Sequence, residues 1–391
     1  MTVRRALPLA LLGAWTLAAC APGVPDPADA SHAPGSRSFE RALALEDSGA
    51  TSANVSIGDV NADGHPDLVL VKGRHWPLVD LVLLGDGRGS FEPAYPVGDT
   101  PDRSYSGVLV DIDGDGDLDV VVSNDDPDPK VVHLNDGRGR FSVGSTFGEA
   151  EWSTRHIRIA DLNGDALPDV VLANRDGRGA AVSQLCFGVG GGAFAAECIG
   201  FAEGSATTIS PADFDGDGAL DLAVPHRDGG QSYIYLNDGA GGFGQRRPFG
   251  PPDAEIRSAE AADFDGDGIL DLAVIDERSG PALLRGRPDG TYASGEPIGS
   301  AAVRPYAITV ADLDRDNRPD IVVGYVESRP IAYFNDGPGV FTPVPFGDDE
   351  GVAYGFAVGD LDGDGLLDIA MARSEARNML YFGSPARGPG A

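Results

Sequence analysis

A nine-residue segment of this 391-residue chain carries aspartate at positions 1, 3, 5 and 9, as in DIDGDGDLD at residues 111–119. Two like unit charges about 4 Å apart repel by roughly 1 kcal/mol in water and about 4 kcal/mol at an effective dielectric near 20. Four carboxylates that converge on one point would add several such repulsions, which a folded chain would not tolerate without a cation. The segment therefore predicts a metal-binding loop.

This loop recurs seven times, and the first aspartates of successive copies are 48 to 52 residues apart. Positions 1, 3, 5 and 9 of the seven copies hold 26 aspartates and two asparagines, which we predict to be the metal ligands. The predicted ligands are Asp59, Asn61, Asp63 and Asp67; Asp111, Asp113, Asp115 and Asp119; Asp161, Asn163, Asp165 and Asp169; Asp213, Asp215, Asp217 and Asp221; Asp263, Asp265, Asp267 and Asp271; Asp312, Asp314, Asp316 and Asp320; and Asp360, Asp362, Asp364 and Asp368.

The residue types in these loops favour calcium over other metals. Ca²⁺ takes six to eight oxygen ligands in a flexible geometry, whereas Mg²⁺ needs a nearly octahedral shell and keeps several waters. Transition metals would prefer histidine or cysteine, and neither occurs at the four ligand positions. An EF-hand is excluded because all seven copies have an apolar residue where its bidentate glutamate would stand. We therefore predict up to seven bound Ca²⁺ ions.

Strand-forming segments surround each loop and must position it. An alternating segment such as ITVAD leads into the loop, and an apolar run such as VVVS follows it. A third segment runs into a glycine-rich turn such as NDGRG, a strong hairpin signal, and an aromatic residue then opens a fourth strand. Four short strands per unit are typical of a β-propeller blade, so we predict an all-β, seven-bladed β-propeller of four-stranded blades. The aromatic residues are Phe91, Phe141, Phe194, Phe243, Tyr292 and Phe341.

The two ends of the chain predict how the ring of blades closes. The last unit ends near Phe382 and lacks the fourth strand with its aromatic residue. The N-terminal segment 35–45, GSRSFERALAL, matches residues 87–97, GRGSFEPAYPV, which include such a strand. We therefore expect an N-terminal strand containing Phe39 to complete the last blade, which leaves no free sheet edge.

The repeated DxDxDGxxD loop and its spacing resemble the FG-GAP/VCBS repeats of integrin α-subunit propellers and of many exported bacterial proteins. The resemblance covers residues 38–383, which we assign to the propeller, and it implies calcium ions that stabilise the blades. Two loops depart from the pattern, because Ala166 and Asn317 replace the glycine at position 6. That position usually needs a positive φ, which asparagine tolerates and alanine tolerates poorly. Loop 161–169 combines Ala166 with Asn163, so it is predicted to lose its ion first.

In related propellers the face opposite the calcium loops commonly binds partners. Six residues before the first aspartate of each repeat, just ahead of the innermost strand, the chain holds three tyrosines and two arginines. Seven-fold stacking would arrange these residues around the mouth of the central channel, where they form either a recognition site or a rim that covers the channel. The predicted ligand-binding residues are Tyr105, Arg155, Arg257, Tyr306 and Tyr354, with Ala53 and Thr207 at the same repeat position.

The sequence favours a binding or adhesion module over an enzyme. It contains six histidines and lacks the GxSxG, HExxH and glycine-rich phosphate-loop motifs. We therefore predict no catalytic residues and a glycan or a protein as the ligand. The alternative is a lyase-like enzyme acting on polysaccharides at the channel mouth, because some propellers of this calcium-loop type belong to polysaccharide lyases. His156 is the only histidine near that mouth.

The acidic composition narrows the range of partners. The formal net charge of −32 argues against nucleic acid, because phosphate binding needs a basic surface. The 26 loop aspartates supply a large part of the 61 acidic residues, so the charge has a local source in the predicted metal sites. We expect the protein to be a monomer.

The N-terminus predicts export and lipid anchoring. Two arginines precede the apolar run Ala6–Ala19, which is too short to span a bilayer and is typical of a signal peptide. The segment LAAC, ending at Cys20, resembles a bacterial lipobox, in which the cysteine is lipidated; the alternative is an ordinary secretory signal. We assign residues 1–19 to the signal peptide, 20–37 to the lipidated cysteine and a flexible tether, and 384–391 to a C-terminal tail. We expect anchoring in the cell envelope, at the outer membrane because no aspartate follows the cysteine, with no other membrane contact.

Two further cysteines, Cys186 and Cys198, flank the glycine-rich segment FGVGGGAFAAE. They lie about equally far from its turn, as facing residues of a hairpin do. Because an exported protein folds in an oxidising compartment, we predict a disulfide between them. The alternative is two unpaired strand cysteines.

Overall fold

The computed structural model describes residues 36–176 and 181–385, which form seven four-stranded antiparallel sheets and one two-stranded hairpin. The predicted all-β propeller of seven four-stranded blades is confirmed. The described residues contain no helix, and hence none that is long and apolar enough to cross a membrane. The predicted signal peptide and Cys20 lie outside the described residues.

The strands follow one another blade by blade along the chain. The first half contains β1 (Ser36–Ala44), β2 (Ser52–Gly58), β3 (Asp67–Lys72), β4 (Leu81–Leu83), β5 (Tyr95–Pro96), β6 (Ser104–Val110), β7 (Asp119–Asn124), β8 (Lys130–Asn135), β9 (Phe141–Phe147), β10 (Thr154–Ala160), β11 (Asp169–Asn174), β12 (Val182–Cys186), β13 (Gly188–Gly190), β14 (Ala193–Phe194) and β15 (Ile199–Glu203). The second half contains β16 (Ser210–Ala212), β17 (Asp221–Val224), β18 (Ser232–Leu236), β19 (Gln245–Phe249), β20 (Ile256–Ala262), β21 (Asp271–Asp276), β22 (Gly280–Leu284), β23 (Glu296–Pro297), β24 (Pro305–Ala311), β25 (Asp320–Tyr325), β26 (Ile331–Asn335), β27 (Phe341–Pro345), β28 (Val352–Gly359), β29 (Asp368–Ser374) and β30 (Met379–Pro385).

Blades 1 to 6 use their strands in chain order, whereas blade 7 begins with β28 and takes β1 as its outermost strand. The first strand of every blade lies innermost. In blade 2, for example, β6, β7, β8 and β9 are neighbours in that order. The first strands of adjacent blades contact one another, as β2 of blade 1 contacts both β6 of blade 2 and β28 of blade 7. These strands therefore surround the central channel. Blades 1 to 7 begin with β2, β6, β10, β16, β20, β24 and β28.

The N-terminal strand closes the ring of blades. β1 pairs antiparallel with β30, and Leu43 lies opposite Leu380. Phe39 is buried, and its ring centroid lies 5.3 Å from that of Phe346 in blade 6. Blade 7 thus combines strands from both ends of the propeller, as predicted, and backbone hydrogen bonds hold those ends together.

The hydrophobic core lies between blades. The second strand of every blade is buried along its whole length, as in β7 with the sequence DVVVSN. Branched apolar side chains suit such a strand because neighbouring blades cover both of its faces. One cluster joins Leu68 and Leu70 of blade 1 to Ala370 and Ala372 of blade 7. Each blade is therefore stabilised by the blades on either side of it.

The aromatic residue of each repeat marks the start of the fourth strand in only two blades. Phe141 and Phe341 begin β9 and β27, as predicted, whereas the other four do not begin a named strand, although Phe91 and Tyr292 already form isolated bridges with Gly85 and Gly286. The ring packs on a neighbouring blade wherever the strand begins, as Phe341 does on Phe264 with 5.9 Å between centroids. The aromatic residue keeps its place in the repeat because its ring is packed against the neighbouring blade. The fourth strand, in contrast, begins only where a continuous ladder of backbone hydrogen bonds forms. Phe194 lies in β14. The other three aromatic residues precede the fourth strands of their blades: Phe91, Phe243 and Tyr292.

Blade 3 contains the disulfide. Cys186 ends β12, Cys198 immediately precedes β15, and the neighbouring residues Leu185 and Ile199 face each other in the ladder. The two Sγ atoms are 1.96 Å apart, and the hairpin of β13 and β14 lies between the cysteines along the chain. The bond therefore links the third and fourth strands at the base of this hairpin, which is the pairing predicted from the sequence.

Candidate metal centres and ligand-binding site

The aspartate at position 9 fastens each of the seven loops. In loop 111–119, Asp119 Oδ2 accepts a hydrogen bond from the Ile112 N–H at 3.2 Å, and Oδ1 accepts one from the Asn135 N–H at 2.7 Å. Asn135 ends the third strand of the blade, so one carboxylate ties the loop to that strand. The same pair of bonds occurs in all seven repeats, and every one of these carboxylates is buried. The residues are Asp67, Asp119, Asp169, Asp221, Asp271, Asp320 and Asp368.

The aspartate at position 1 shapes the turn of the loop. Asp111 accepts N–H hydrogen bonds from Gly114 at 2.8 Å and from Gly116 at 3.1 Å. Positions 4 and 6 have positive φ in all seven loops, whereas the sequence indicated this only for position 6. A side chain at such a position strains the backbone. The non-glycine residues there are Ala62 and Arg315 at position 4, with φ of 56°, and Ala166 and Asn317 at position 6, with φ of 65°.

Five of the seven loops bring three carboxylates together, with one oxygen of each within 4.8 Å of the others. A hard cation with oxygen ligands fits such a set, with backbone carbonyls and water completing the shell. Loops 59–67 and 161–169 form no group of three carboxylates among the described residues, because asparagine holds position 3 in both. The groups are Asp111, Asp113 and Asp115; Asp213, Asp215 and Asp221; Asp263, Asp265 and Asp271; Asp312, Asp314 and Asp316; and Asp360, Asp362 and Asp368.

The position-9 carboxylates indicate why a cation is favourable in these loops. Burial raises the pKa of Asp119 to about 6 and that of Asp368 to about 7, although backbone hydrogen bonds partly oppose the shift. Nearby loop carboxylates also raise both pKa values. A cation between the carboxylates would favour their ionised forms and offset this cost. The loops are therefore suited to hold metal ions through the carboxylates at positions 1, 3, 5 and 9.

Loop 312–320 differs from the others because two arginines contact its carboxylates. Arg37 of β1 donates from Nε to Asp314 Oδ2 at 2.7 Å, and Arg318 is paired with Asp316. A guanidinium group supplies part of the positive charge that a metal ion would bring. In loops 213–221, 263–271 and 360–368 one arginine each contacts the carboxylates: Arg247, Arg285 and Arg41 respectively.

The residues predicted around the channel mouth lie inside the first strands, so the prediction that they precede those strands is wrong for all but Thr207. Tyr105, for example, is the second residue of β6. It is the extra residue of a β-bulge, because Ser104 and Ser106 pair with consecutive residues of β7. A bulge re-aims the side chain of its extra residue, which explains how these side chains reach the channel mouth. The bulged residues are Ala53, Tyr105, Arg155, Arg257, Tyr306 and Tyr354.

All five predicted ligand-binding residues line one cavity of about 190 Å³, together with Ala53 and Thr207. The cavity lies opposite the metal loops, because each first strand runs from the cavity to its loop. Six arginines line it, although the chain has only 29 basic residues. Arg175 and Arg227 each follow the first aspartate of their repeat by 14 residues, a repeat-position signal that the sequence reasoning missed. The six are Arg74, Arg155, Arg158, Arg175, Arg227 and Arg257.

Arginines and tyrosines form a continuous arc around this cavity. The guanidinium carbon of Arg155 lies 4.2 Å from the centroid of the Tyr105 ring. The guanidinium carbon of Arg74 lies 6.0 Å from the centroid of the same Tyr105 ring and 3.8 Å from the centroid of the Tyr354 ring. Such contacts are favourable because a cation is attracted to the face of an aromatic ring. The arginine–tyrosine arc, in order from blade 3 through blades 2, 1, 7 and 6 to blade 5, consists of Arg155, Tyr105, Arg74, Tyr354, Tyr306 and Arg257.

Two tyrosines of the arc share a hydrogen bond and differ in acidity. The hydroxyls of Tyr306 and Tyr354 are hydrogen-bonded, and their ring centroids are 4.6 Å apart. Burial alone would raise the pKa of Tyr306, but the charge of Arg257 and the hydrogen bond from Tyr354 lower that pKa below its ordinary value. Burial and the neighbouring Tyr306 raise the pKa of Tyr354. Tyr306 is therefore the more acidic of the two.

Four carboxylates pair with most of the cavity's arginines, and one of them, Glu260, lines the cavity itself. Burial would raise the pKa of Glu277, but the hydrogen bond and charge of Arg227, with other arginines nearby, lower it below its ordinary value. Arg74 is the exception, because among the described residues its guanidinium has no carboxylate partner; it donates to Ser374 Oγ, at 3.1 Å from Nη1, and to the Tyr105 hydroxyl. The ion pairs are Arg155–Asp125, Arg158–Glu260, Arg175–Asp228, and those of Glu277 with Arg227, Arg257 and Arg304.

His156 and His75 both line the cavity, so the prediction that His156 is the only histidine near the channel mouth is wrong, and the Nε2 atom of His156 is engaged. Nε2 lies 2.6 Å from Arg158 Nη1, which can only donate, so Nε2 accepts this hydrogen bond and carries no proton. Burial and the charge of Arg158 lower the pKa of His156 well below its ordinary value. The imidazole is therefore neutral near pH 7, and the Nε2 lone pair already has a partner.

Comparisons with solved structures find other proteins of similar fold. BBS1N, solved in complex with ARL6DN, is 12% identical with a TM-score of 0.59, over 91% of this chain and 99% of that one. A lectin of Agrocybe aegerita that recognises non-reducing terminal N-acetylglucosamine is 19% identical with a TM-score of 0.56, over 83% and 86%. The Pan2 WD40 domain of Neurospora crassa is 10% identical with a TM-score of 0.55, over 90% and 96%. At these identities the likeness shows the fold alone.

Comparisons of the sequence, unlike those of the structure, identify a family. A search of curated proteins finds no match. A family model described as an FG-GAP-like repeat matches six overlapping segments: 59–122, 111–172, 161–224, 213–274, 263–323 and 312–371. Each segment runs from one metal loop through the second strand of the next blade. Because these matches together span most of the chain, the protein belongs to the FG-GAP-like repeat family.

Proposed function

We propose that this propeller is a binding module that takes a glycan ligand at the channel mouth. The observation that carries the proposal is the arginine–tyrosine arc, to which six blades contribute one side chain each. Aromatic faces and guanidinium groups provide the apolar surface and the hydrogen-bond donors that a sugar ring needs. A concave cavity of about 190 Å³ suits the end of a saccharide chain better than a broad protein surface. A lectin with the same fold supports the proposal by analogy.

The proposal is tested by removing polar contacts from the arc while keeping its rings. The double variant Tyr306→Phe/Tyr354→Phe should weaken glycan binding by about fivefold for each lost hydroxyl contact, measured on a glycan array and by titration of the array hit. Tyr95→Phe is the matched control, because the Tyr95 hydroxyl donates to Gly139 O in the loop-side part of the molecule. Capture of an envelope protein instead of a glycan, at a site insensitive to the double variant, would contradict the proposal.

A polysaccharide lyase is the second candidate function, and the lowered pKa of Tyr306 beside Arg257 favours it. A lyase needs a base to remove a proton next to a carboxylate group, and cations to stabilise the negative charge that develops. Tyr306, whose pKa is lowered from its ordinary value, is the candidate for the base, and the arginines are the candidates for the cations. If the protein is a lyase, uronic-acid polymers will yield unsaturated products, and Tyr306→Phe will abolish their formation. Binding of such polymers without unsaturated products supports the binding module.

We also propose that the seven loops hold Ca²⁺ and that the ions stabilise the blades. Each loop joins the first and second strands and is fastened to the third, so an ion bound there holds three strands of one blade. The all-oxygen donor set supports calcium on chemical grounds. Because such an ion binds the folded loop alone, its binding energy adds to the free energy of unfolding.

Loops 59–67, 161–169 and 312–320 should be the first to release calcium as chelator is added, because each has non-glycine residues at positive φ and charges that are reduced or already paired. Arg37→Gln should strengthen binding at loop 312–320 by up to about fivefold, since it removes a competing cation. Hydrogen exchange followed loop by loop during the titration measures both effects, with loop 161–169 as the internal reference. Protection at 161–169 that outlasts protection at 263–271 would contradict the ranking, as would an unchanged loop 312–320 in the variant.

We propose further that the protein is lipid-anchored through Cys20 at the outer membrane of a bacterial cell envelope. The basis is the LAAC segment after the apolar run, followed by a tether rich in proline, alanine and glycine. Cys20→Ser should move the protein into the soluble fraction and abolish labelling by a fatty-acid probe. Separation of inner and outer membranes checks the location of the unaltered chain. Membrane retention and labelling that survive the substitution would refute the anchor.

A further inference from the structure

We propose that the cavity at the channel mouth selects an acidic saccharide, one that presents a carboxylate or sulfate group to Arg74 and its neighbours in the arc. This inference rests on the proposed function, because it specifies the chemical class of the glycan. It assigns the arginines a role in recognition that the family match does not give.

The first argument is the concentration of positive charge. The chain has a formal net charge of −32, yet six of its 29 basic residues line this one cavity. Arg304 also belongs to the group, through its pairing with Glu277. Seven arginines stand against the four paired carboxylates, which leaves an excess of three positive charges. A charge of one sign inside a cleft with low-dielectric walls concentrates ligands of the opposite sign.

The second argument is that Arg74 has unused donors. Its Nε is buried and has no hydrogen-bond partner among the described residues, although Nη1 donates to Ser374 Oγ and the guanidinium also hydrogen-bonds the Tyr105 hydroxyl. The guanidinium is held between the rings of Tyr354 and Tyr105, at 3.8 and 6.0 Å from their centroids. Its orientation is thus fixed by packing, while no carboxylate of the described chain satisfies its charge. A guanidinium held this way is suited to two parallel hydrogen bonds with a carboxylate or sulfate group.

The third argument is the geometry around Arg74. It stands in the middle of the arc, with Tyr354 on one side and Tyr105 on the other. A sugar ring that places its acidic group on Arg74 would lie near the faces of these two tyrosines. A neutral sugar would leave the excess charge of the cavity unpaired, and a buried charge without a partner is unfavourable. The charge of the cavity therefore discriminates acidic from neutral sugars, whereas the tyrosines contribute to the binding of both.

The test compares glycans that differ mainly in charge. The full-length, calcium-loaded protein is applied to an array that carries neutral, carboxylated and sulfated glycans, including methyl-esterified forms of the carboxylated ones. We expect binding to carboxylated or sulfated glycans, loss of binding on methyl esterification, and weaker binding at higher salt. The carboxylated and sulfated arms identify the source of the negative charge.

Three variants assign the selectivity to the cavity. Arg74→Gln should weaken binding of the acidic array hit at least about tenfold. Asp228→Asn should strengthen it, because this change frees Arg175 from a partly exposed ion pair on the cavity wall. Arg138→Gln is the control, since it removes the same charge from an exposed turn on the loop side and should leave binding unchanged. Circular dichroism checks that each variant is folded.

The outcomes separate this inference from the proposed function. Acidic glycans bound in preference, with opposite effects of Arg74→Gln and Asp228→Asn, support the inference. Equal binding of neutral and esterified glycans, or no response to either variant, overturns the inference and leaves the binding module standing. No binding to any glycan on the array overturns the proposed function, and the inference with it.

Discussion

Removal of calcium is expected to lower the free energy of unfolding by about 2.7 kcal/mol for each site that the ion occupies at about 100 times its Kd. Three such sites would contribute about 8 kcal/mol, which is comparable with the total stability of about 5–15 kcal/mol of a typical domain. The effect is large because seven loops repeat the same buried carboxylate, and each blade is stabilised by its neighbours. The metal-free propeller should therefore unfold at a much lower urea concentration or temperature.

This expectation is checked by urea unfolding in calcium and in excess chelator, followed by circular dichroism. Asp113→Asn tests one site, because it reproduces in loop 111–119 the asparagine that Asn61 and Asn163 provide naturally at position 3. The variant should be less stable than the parent in calcium and at least as stable in chelator, because the substitution removes one of the carboxylates that repel each other in the empty loop. A midpoint that does not move when calcium is removed would contradict the proposed role of the ion.

The second large effect is expected from Asp119→Asn, which should destabilise the protein even without calcium. The carboxylate accepts one backbone N–H on each oxygen, from Ile112 and Asn135, and is fully buried. An asparagine has one acceptor oxygen, so its NH₂ group must face one of these N–H groups. A buried donor without a partner costs about 1–3 kcal/mol. We therefore expect a loss of about 1–3 kcal/mol in chelator and a larger loss in calcium.

The comparison of the two variants separates the two roles of the loop aspartates. Asp113→Asn should destabilise the protein only when calcium is present, whereas Asp119→Asn should destabilise it in both conditions. Unfolding in chelator, with the parent chain as reference, is the deciding measurement. Equal stability of Asp119→Asn and the parent in chelator would mean that the two backbone hydrogen bonds contribute nothing measurable to folding.

The fold could be predicted from the sequence because it is determined by local sequence signals. Loop aspartates at fixed positions, apolar runs after them and glycine turns each act within a few residues, and seven copies remove ambiguity. The closure of the ring was also readable, because segment 35–45 carries the strand that the last unit lacks. The left-handed position 6 followed from its glycine. Position 4 was missed because Ala62 and Arg315 occupy it in two loops, which hides the requirement.

The residues of the channel mouth could be predicted only in part from the sequence. The repeat position of Tyr105 and the other predicted residues was found, but the β-bulge that turns these side chains towards the cavity depends on pairing with the second strand. Arg74 could not be assigned to the site from its own segment, because it comes from another part of the repeat and meets Tyr354 only after blades 1 and 7 have joined. The same holds for Arg37, which reaches Asp314 only because the N-terminal strand completes the last blade.

By itself, then, the sequence determined the seven blades, the loops suited to metal ions, the closing strand and the Cys186–Cys198 pair, because each depends on residues near one another in the chain or on a repeated unit. Only the tertiary structure decided which charges are paired and which remain available in the cavity. Those ion pairs join residues from different blades, so the distances between the paired residues depend on how the ring of blades closes. The sequence pattern within a single repeat carries no information on that closure.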